Sequence, residues 1–268
     1  MNKAFFTALL LVCTAAAQAP KQEPWLPALP DTQAVQSMPE QERSAATAAI
    51  KRVMLYRYIR MREERHRYTP ENAAECVALA QKLGAPEVLV KLLQLEAEKE
   101  LSGREQYECR QALQTLMYTY GVDILGMRLF VESLHYPADT LRRVVDALPM
   151  DVVFNLMPQE QPTKEEAELQ LTTLADAYAQ MVEVYSGIES REQAEAAVPR
   201  LMPLLFACTA ALPLRRSLAQ GGSALGLSSL YERLVEPRQR ELHEHRIRLA
   251  QTMHYGSAML AALDFLLN

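Results

Sequence analysis

The sequence predicts an all-α protein. Glycine is scarce, with 9 residues in 268, where an ordinary chain carries about 7%. Alanine, leucine, glutamate, glutamine and arginine, all good helix formers, dominate the chain. The Asn-Gly and Asp-Gly dipeptides that close tight hairpins are absent. With 49% hydrophobic and 23% charged residues the composition is globular and excludes a chain without a core. A net charge of −5 provides no general attraction to nucleic acid, so no nucleic-acid partner is expected.

Met1-Asn2-Lys3 and the apolar run Ala4 to Ala17 read as a signal peptide over residues 1–17, cut before Gln18 after a small-residue stretch. That run is shorter than the ~20 residues a membrane span needs, and no later stretch reaches that length without charge. Lipid attachment at Cys13 is disfavoured because Val12 precedes it. The mature protein is therefore expected to be periplasmic or extracellular. Residues 18–39 carry Pro20, Pro24, Pro27, Pro30 and Pro39 and predict an extended tether.

From residue 40 the helical period takes over. Ile50, Val53, Met54, Tyr58 and Met61 recur at three-to-four spacing and predict a helix over 40–66, ending before Thr69-Pro70. Thr69 caps a second helix with Pro70 in its first turn. Gly84 stops it, and Pro86 opens a third that runs to about Leu101. Further helices are expected at 104–119, 122–135 and 138–148, completing a first bundle over 40–148. Residues 149–162, with Pro149, Pro158 and Pro162, predict a linker. Thr163 and Glu166 form a capping box that starts a second bundle over 163–268. Its first helix carries Leu171, Leu174, Tyr178, Met181 and Tyr185 on one face. Ser190 caps the next helix, which Pro199 and Pro203 should kink. Gln220-Gly221-Gly222-Ser223 reads as a loop, and a long helix follows from Leu227, interrupted near Pro237 and Gly256.

Two sets of landmarks suggest that the bundles are tandem duplicates. Glu71-Asn72-Ala73-Ala74-Glu75-Cys76-Val77 parallels Glu192-Gln193-Ala194-Glu195-Ala196-Ala197-Val198. Tyr120-Gly121 and Tyr255-Gly256 each lead toward a phenylalanine, Phe130 and Phe265. The run Glu192 to Leu201, between a leucine-rich helix and a charged one, resembles uncharacterised exported helical-hairpin proteins of Gram-negative bacteria. The resemblance spans residues 163–268, implies export and an all-helical unit, and brings no catalytic residue with it.

Three cysteines follow the signal segment, and an oxidising compartment allows one disulfide, with Cys76 and Cys109 the favoured pair; three unbonded core thiols are the other reading. No zinc spacing occurs, and Glu241-Leu242-His243-Glu244-His245 places only Glu241 and His245 on one helix face, too few for a metal site. Gly222-Ser223-Ala224-Leu225 lacks the second glycine of a nucleophile elbow. No catalytic residue, cofactor or metal is expected.

The chemistry-bearing segment is the first helix. Between Pro39 and Thr69 it has eight basic residues against four acidic ones, with tyrosines interleaved. Arg57, Tyr58, Arg60, Arg62, Arg65, Arg67 and Tyr68 are the candidate binding residues for an acidic protein or an anionic envelope component; the bland alternative is a solvated face with stems on the core. Residues 159–190 carry seven acidic residues against Lys164, so opposite charge allows the two halves, or two copies in a homo-oligomer, to meet. A non-enzymatic binding or scaffold protein is the expected function. The alternative is a carrier that encloses an apolar small molecule or lipid between helices walled by Met117, Met127, Met181 and Met202.

Overall fold

The computed structural model describes residues 25–64, 69–98, 101–150, 153–156, 163–211, 214 and 226–267. Among these, twelve α-helices make an all-α fold. They are α1 (Thr32–Gln36), α2 (Glu40–Glu63), α3 (Pro70–Lys82), α4 (Glu87–Glu98), α5 (Gly103–Thr119), α6 (Ile124–Ser133), α7 (Ala138–Ala147), α8 (Lys164–Ser186), α9 (Arg191–Ala210), α10 (Ser228–Leu234), α11 (Glu236–Gln251) and α12 (Ala258–Leu266). The signal-peptide reading of residues 1–17 lies outside the described residues. None of the described helices is long and apolar enough to cross a membrane.

Local chemistry sets the helix starts. Thr69 accepts from the Asn72 N–H with Pro70 in the first turn of α3, and Ser190 accepts from the Gln193 N–H at the start of α9. Thr163 and Glu166 close the expected capping box on α8. Ser102 and Glu105 close a second one on α5 that the sequence reading passed over. Pro199 and Pro203 both lie inside α9, which continues through them. The Gly84 stop is confirmed by its φ of +62°, a conformation that glycine adopts without strain.

α2 is the central post of the first half, packed against α3, α6 and α7. Ile50, Val53, Met54, Leu55 and Ile59 on it are buried. α8 plays the corresponding part in the second half, against α9, α10 and α11. α12 then packs on α9 and also on α6 and α7, tying the halves together. Phe130 of α6 meets Phe265 of α12 edge to face at 5.7 Å, and Phe154 meets Phe130 at 5.4 Å. The buried side chains consequently form one continuous core. Gly121 and Gly256 both have positive φ and the phenylalanines that follow them touch, but the tyrosines before them differ, with φ of −87° at Tyr120 and 51° at Tyr255.

Three sequence expectations change. Residues 25–39 are not a free tether: Val35 is buried, and the Trp25 indole donates to Glu108 at 3.2 Å. Pro27, Pro30 and Pro39 exclude a long helix here, yet they leave the apolar side chains between them free to pack. The linker segment is also packed. Met150, Val153 and Phe154 are buried, and the Phe154 carbonyl accepts from the Asp123 N–H at 2.6 Å. Cys76, Cys109 and Cys208 are buried thiols, and no disulfide joins Cys76 to Cys109. The Cys109 thiol donates instead to the Leu92 carbonyl at 3.6 Å. Burial, reinforced by the Glu96 carboxylate, pushes its pKa up to about 12, which leaves it an inert core side chain.

The cations of α2 are largely consumed by the fold. The last carbonyls of a helix have no intrahelical donor and sit at the negative end of its dipole. Arg52 donates to the carbonyls of Val145, Asp146 and Leu148, closing the end of α7. Arg62 does the same for α6, donating to Val131 and Leu134 at 2.6 Å and to Tyr136 at 2.5 Å. Lys51, fully buried, donates to the Met150 carbonyl at 2.6 Å and to Asn155. Arg248 of α11 serves the end of α8 through the Tyr185 carbonyl at 2.7 Å.

Candidate functional site

Helical geometry divides the predicted residues of α2 between two faces. Tyr56 and Arg60 lie on one. There Arg60 pairs with Glu63 at 3.0 Å and Glu75 at 2.9 Å, the Tyr56 hydroxyl donates to Glu75 at 2.9 Å, and Arg142 sits 5.1 Å over the Tyr56 ring. Burial raises the Tyr56 pKa, and the hydrogen bond to Glu75 raises it further. This network closes on itself. The opposite face carries Arg57, Tyr58 and Arg62 and opens into a cleft of about 300 Å³. Arg65, Arg67 and Tyr68 lie outside the described residues.

The cleft lies between α2, α5 and α6, which contribute Arg57, Tyr58 and Arg62, then Arg110, then Arg128 and Glu132. Its four guanidinium groups are in two different states. Arg57 is 6% exposed and pairs with Glu96, 10% exposed, at 2.8 Å; its Nε donates to the same carboxylate. That fork-to-fork contact fixes the side chain and neutralises it. Arg62 is fixed on the α6 carbonyls. Arg110 and Arg128 are exposed and make no ion pair among the described residues. Arg128 sits 5.4 Å over the centre of the Tyr58 ring, a cation–π contact that holds it across the cleft.

Arg110 and Arg128 were not singled out from sequence. They stand 18 residues apart in numbering, on two helices that carry no basic run, and only tertiary packing brings them to one cleft. The acidic residues of α8 pair with none of the α2 cations among the described ion pairs, so the opposite charges of the two halves do not meet there.

A second polar centre lies in the C-terminal half. Asp264 of α12 is nearly buried and receives Arg246 Nε on Oδ1 and His254 on Oδ2 at 3.2 Å. The Tyr185 hydroxyl donates to it at 3.5 Å, and Arg246 also donates to the Asp264 carbonyl at 2.7 Å. Burial pushes the Asp264 pKa up, but the His254 and Arg246 contacts outweigh it and hold the carboxyl below its usual range. Tyr185 is pushed well above its ordinary value by burial and by the neighbouring Asp264 charge. Met253, His254 and Tyr255 have φ of 49°, 52° and 51°, a left-handed turn at non-glycine residues that precedes Gly256. Left-handed geometry costs about 1–2 kcal/mol per such residue. The His254–Asp264 contact is the side-chain anchor that offsets this.

Among the described residues no three His, Cys, Asp or Glu side chains gather as a metal site. Glu241 pairs with Arg238 at 3.1 Å rather than joining His245. Compared with family models, curated proteins and solved structures, the chain matches none.

Proposed function

We propose that the protein is a non-enzymatic binding protein that works outside the cytoplasm and captures an anionic group, carried by another protein or an envelope component, in the cleft between α2, α5 and α6. The observation that carries this reading is the pair Arg110 and Arg128. Both stand exposed at a concave site without an ion pair among the described residues, while Arg57 and Arg62 behind them are locked by the fold. A guanidinium offers a planar fork that matches carboxylate and phosphate oxygens, and two of them converging at a concave site favour a compact anion over a diffuse charged surface. Glu132 on the rim opposes indiscriminate anion binding and favours a ligand that also presents a donor.

The carrier reading has less support. Met117, Met127 and Met181 are fully buried in the core, and the clefts described here open to solvent with charged walls. The test uses pyrophosphate as probe, in low salt, by titration calorimetry. Arg110→Glu with Arg128→Glu should weaken binding by at least about tenfold, since each charge-assisted contact contributes about 1.5–3 kcal/mol. Both side chains are exposed, so the melting temperature should move little. Equal affinity in wild type and variant, or no binding by the wild type at millimolar probe, would reject the reading.

A further inference from the structure

The second half contains a cleft of about 370 Å³ built from the same parts as the first. Each is walled by a tyrosine from the long helix that opens its half, Tyr58 of α2 and Tyr178 of α8. Each includes an arginine locked by a nearly buried carboxylate: Arg57 by Glu96, and Arg246, 13% exposed, by Asp264. Each adds an exposed basic group from the charged helix that runs toward a Tyr-Gly pair, Arg110 of α5 and Arg240 of α11. Each has one glutamate in its lining, Glu132 or Glu236.

The second cleft differs in its floor and in its charge. Tyr178, Leu242 and Leu267 give it a buried apolar base. Arg240, His243 and Arg246 follow one another at i, i+3 and i+6, which stacks them on one face of α11 above that base. Arg240 and His243 are exposed and make no ion pair among the described residues. Arg246 is held in place through both Asp264 Oδ1 and the Asp264 carbonyl, so its position does not depend on a ligand.

From this arrangement we infer that the C-terminal cleft is a second, independent binding site, for a compact carboxylate or phosphate that lies on Arg240 and His243 beside the fixed Arg246. The inference uses the same chemistry as the first cleft but does not require the first to be occupied.

The test takes the full chain carrying Arg110→Glu and Arg128→Glu, in which only the second cleft is intact, and titrates phenyl phosphate, benzoate and inorganic phosphate. At least one of the three should bind at a single site with a dissociation constant of about a millimolar or below. Adding Arg240→Glu and His243→Glu should abolish that binding with an unchanged melting temperature, and Arg240→Ala should weaken it in the same direction. If the first cleft binds nothing but this background still binds, the second site stands and only the first reading fails. Binding that survives Arg240→Glu with His243→Glu, or a background that binds none of the three probes, would overturn the inference.

Discussion

Arg57→Ala should lower stability by about 3–5 kcal/mol, because it strands the Glu96 carboxylate in the core without its counter-ion. The pair is nearly dry, and its second contact, Nε to Oε2 at 3.3 Å, disappears with the first. For a domain of this size the change corresponds to a fall in melting temperature of roughly 6–20 °C. Arg57→Glu should be worse still, since it would bury two carboxylates together. The paired change Arg57→Met with Glu96→Leu should recover most of the loss, because replacing a whole buried ion pair by apolar side chains is often neutral or stabilising. Urea titration of the variants reads this out. An Arg57→Ala protein within about 0.5 kcal/mol of wild type would show that Arg57 faces solvent, as a surface binding residue would.

Asp264→Ala should cost a similar amount, about 3–5 kcal/mol, because it removes the partner of Arg246 and the anchor of His254 together. It also releases the left-handed turn at Met253, His254 and Tyr255 that this contact offsets. The loss should show as faster amide exchange in residues 252–258 than in α2, where the core is intact. The wild-type contribution carries a pH signature. The Asp264 carboxyl titrates below its unfolded value, so its stabilisation is present above the ordinary aspartate range and fades as pH falls through the lowered folded value. Asp264→Ala should therefore be less stable than wild type at neutral pH and converge toward it in acid. A constant difference down to the lowest pH at which wild type stays folded would contradict the ion-pair assignment.

Much of the fold was legible because its signals are local. Thr69-Pro70, Thr163 with Glu166, and Ser190 each satisfy N–H groups within three residues, so short sequence windows contain the whole interaction. The same kind of window failed for the cations of α2. Their spacing identified a basic helix, yet Arg52 and Arg62 reach carbonyls 69 to 96 residues further along the chain. Charge counting cannot distinguish a guanidinium aimed at solvent from one that closes a helix end. Three of the seven candidate residues, Arg57, Tyr58 and Arg62, do line the cleft, but two of these are already locked by the fold.

The residues that complete the site carry no local signal. Arg110 and Arg128 belong to no basic run, and the register of their helices becomes meaningful only once both line the cleft beside Tyr58 and Arg62. Asp264 did leave a trace. It is the only charged residue between Ser257 and Leu267, and a lone carboxylate in an apolar helix needs a buried partner. The left-handed turn left little, since neither Met nor Tyr favours positive φ and tertiary contacts impose it on three consecutive residues.

The most direct measurement follows the arginine Nε–Hε resonances of the labelled protein by NMR as pyrophosphate is added. The resonances of Arg110 and Arg128 should move together, with one common saturation curve, while those of Arg43, Arg52 and Arg60, already engaged elsewhere in the fold, stay within the shifts caused by added salt. Shifts spread evenly over the exposed arginines, or strongest at Arg60, would show that the anion samples a general basic surface and not the cleft.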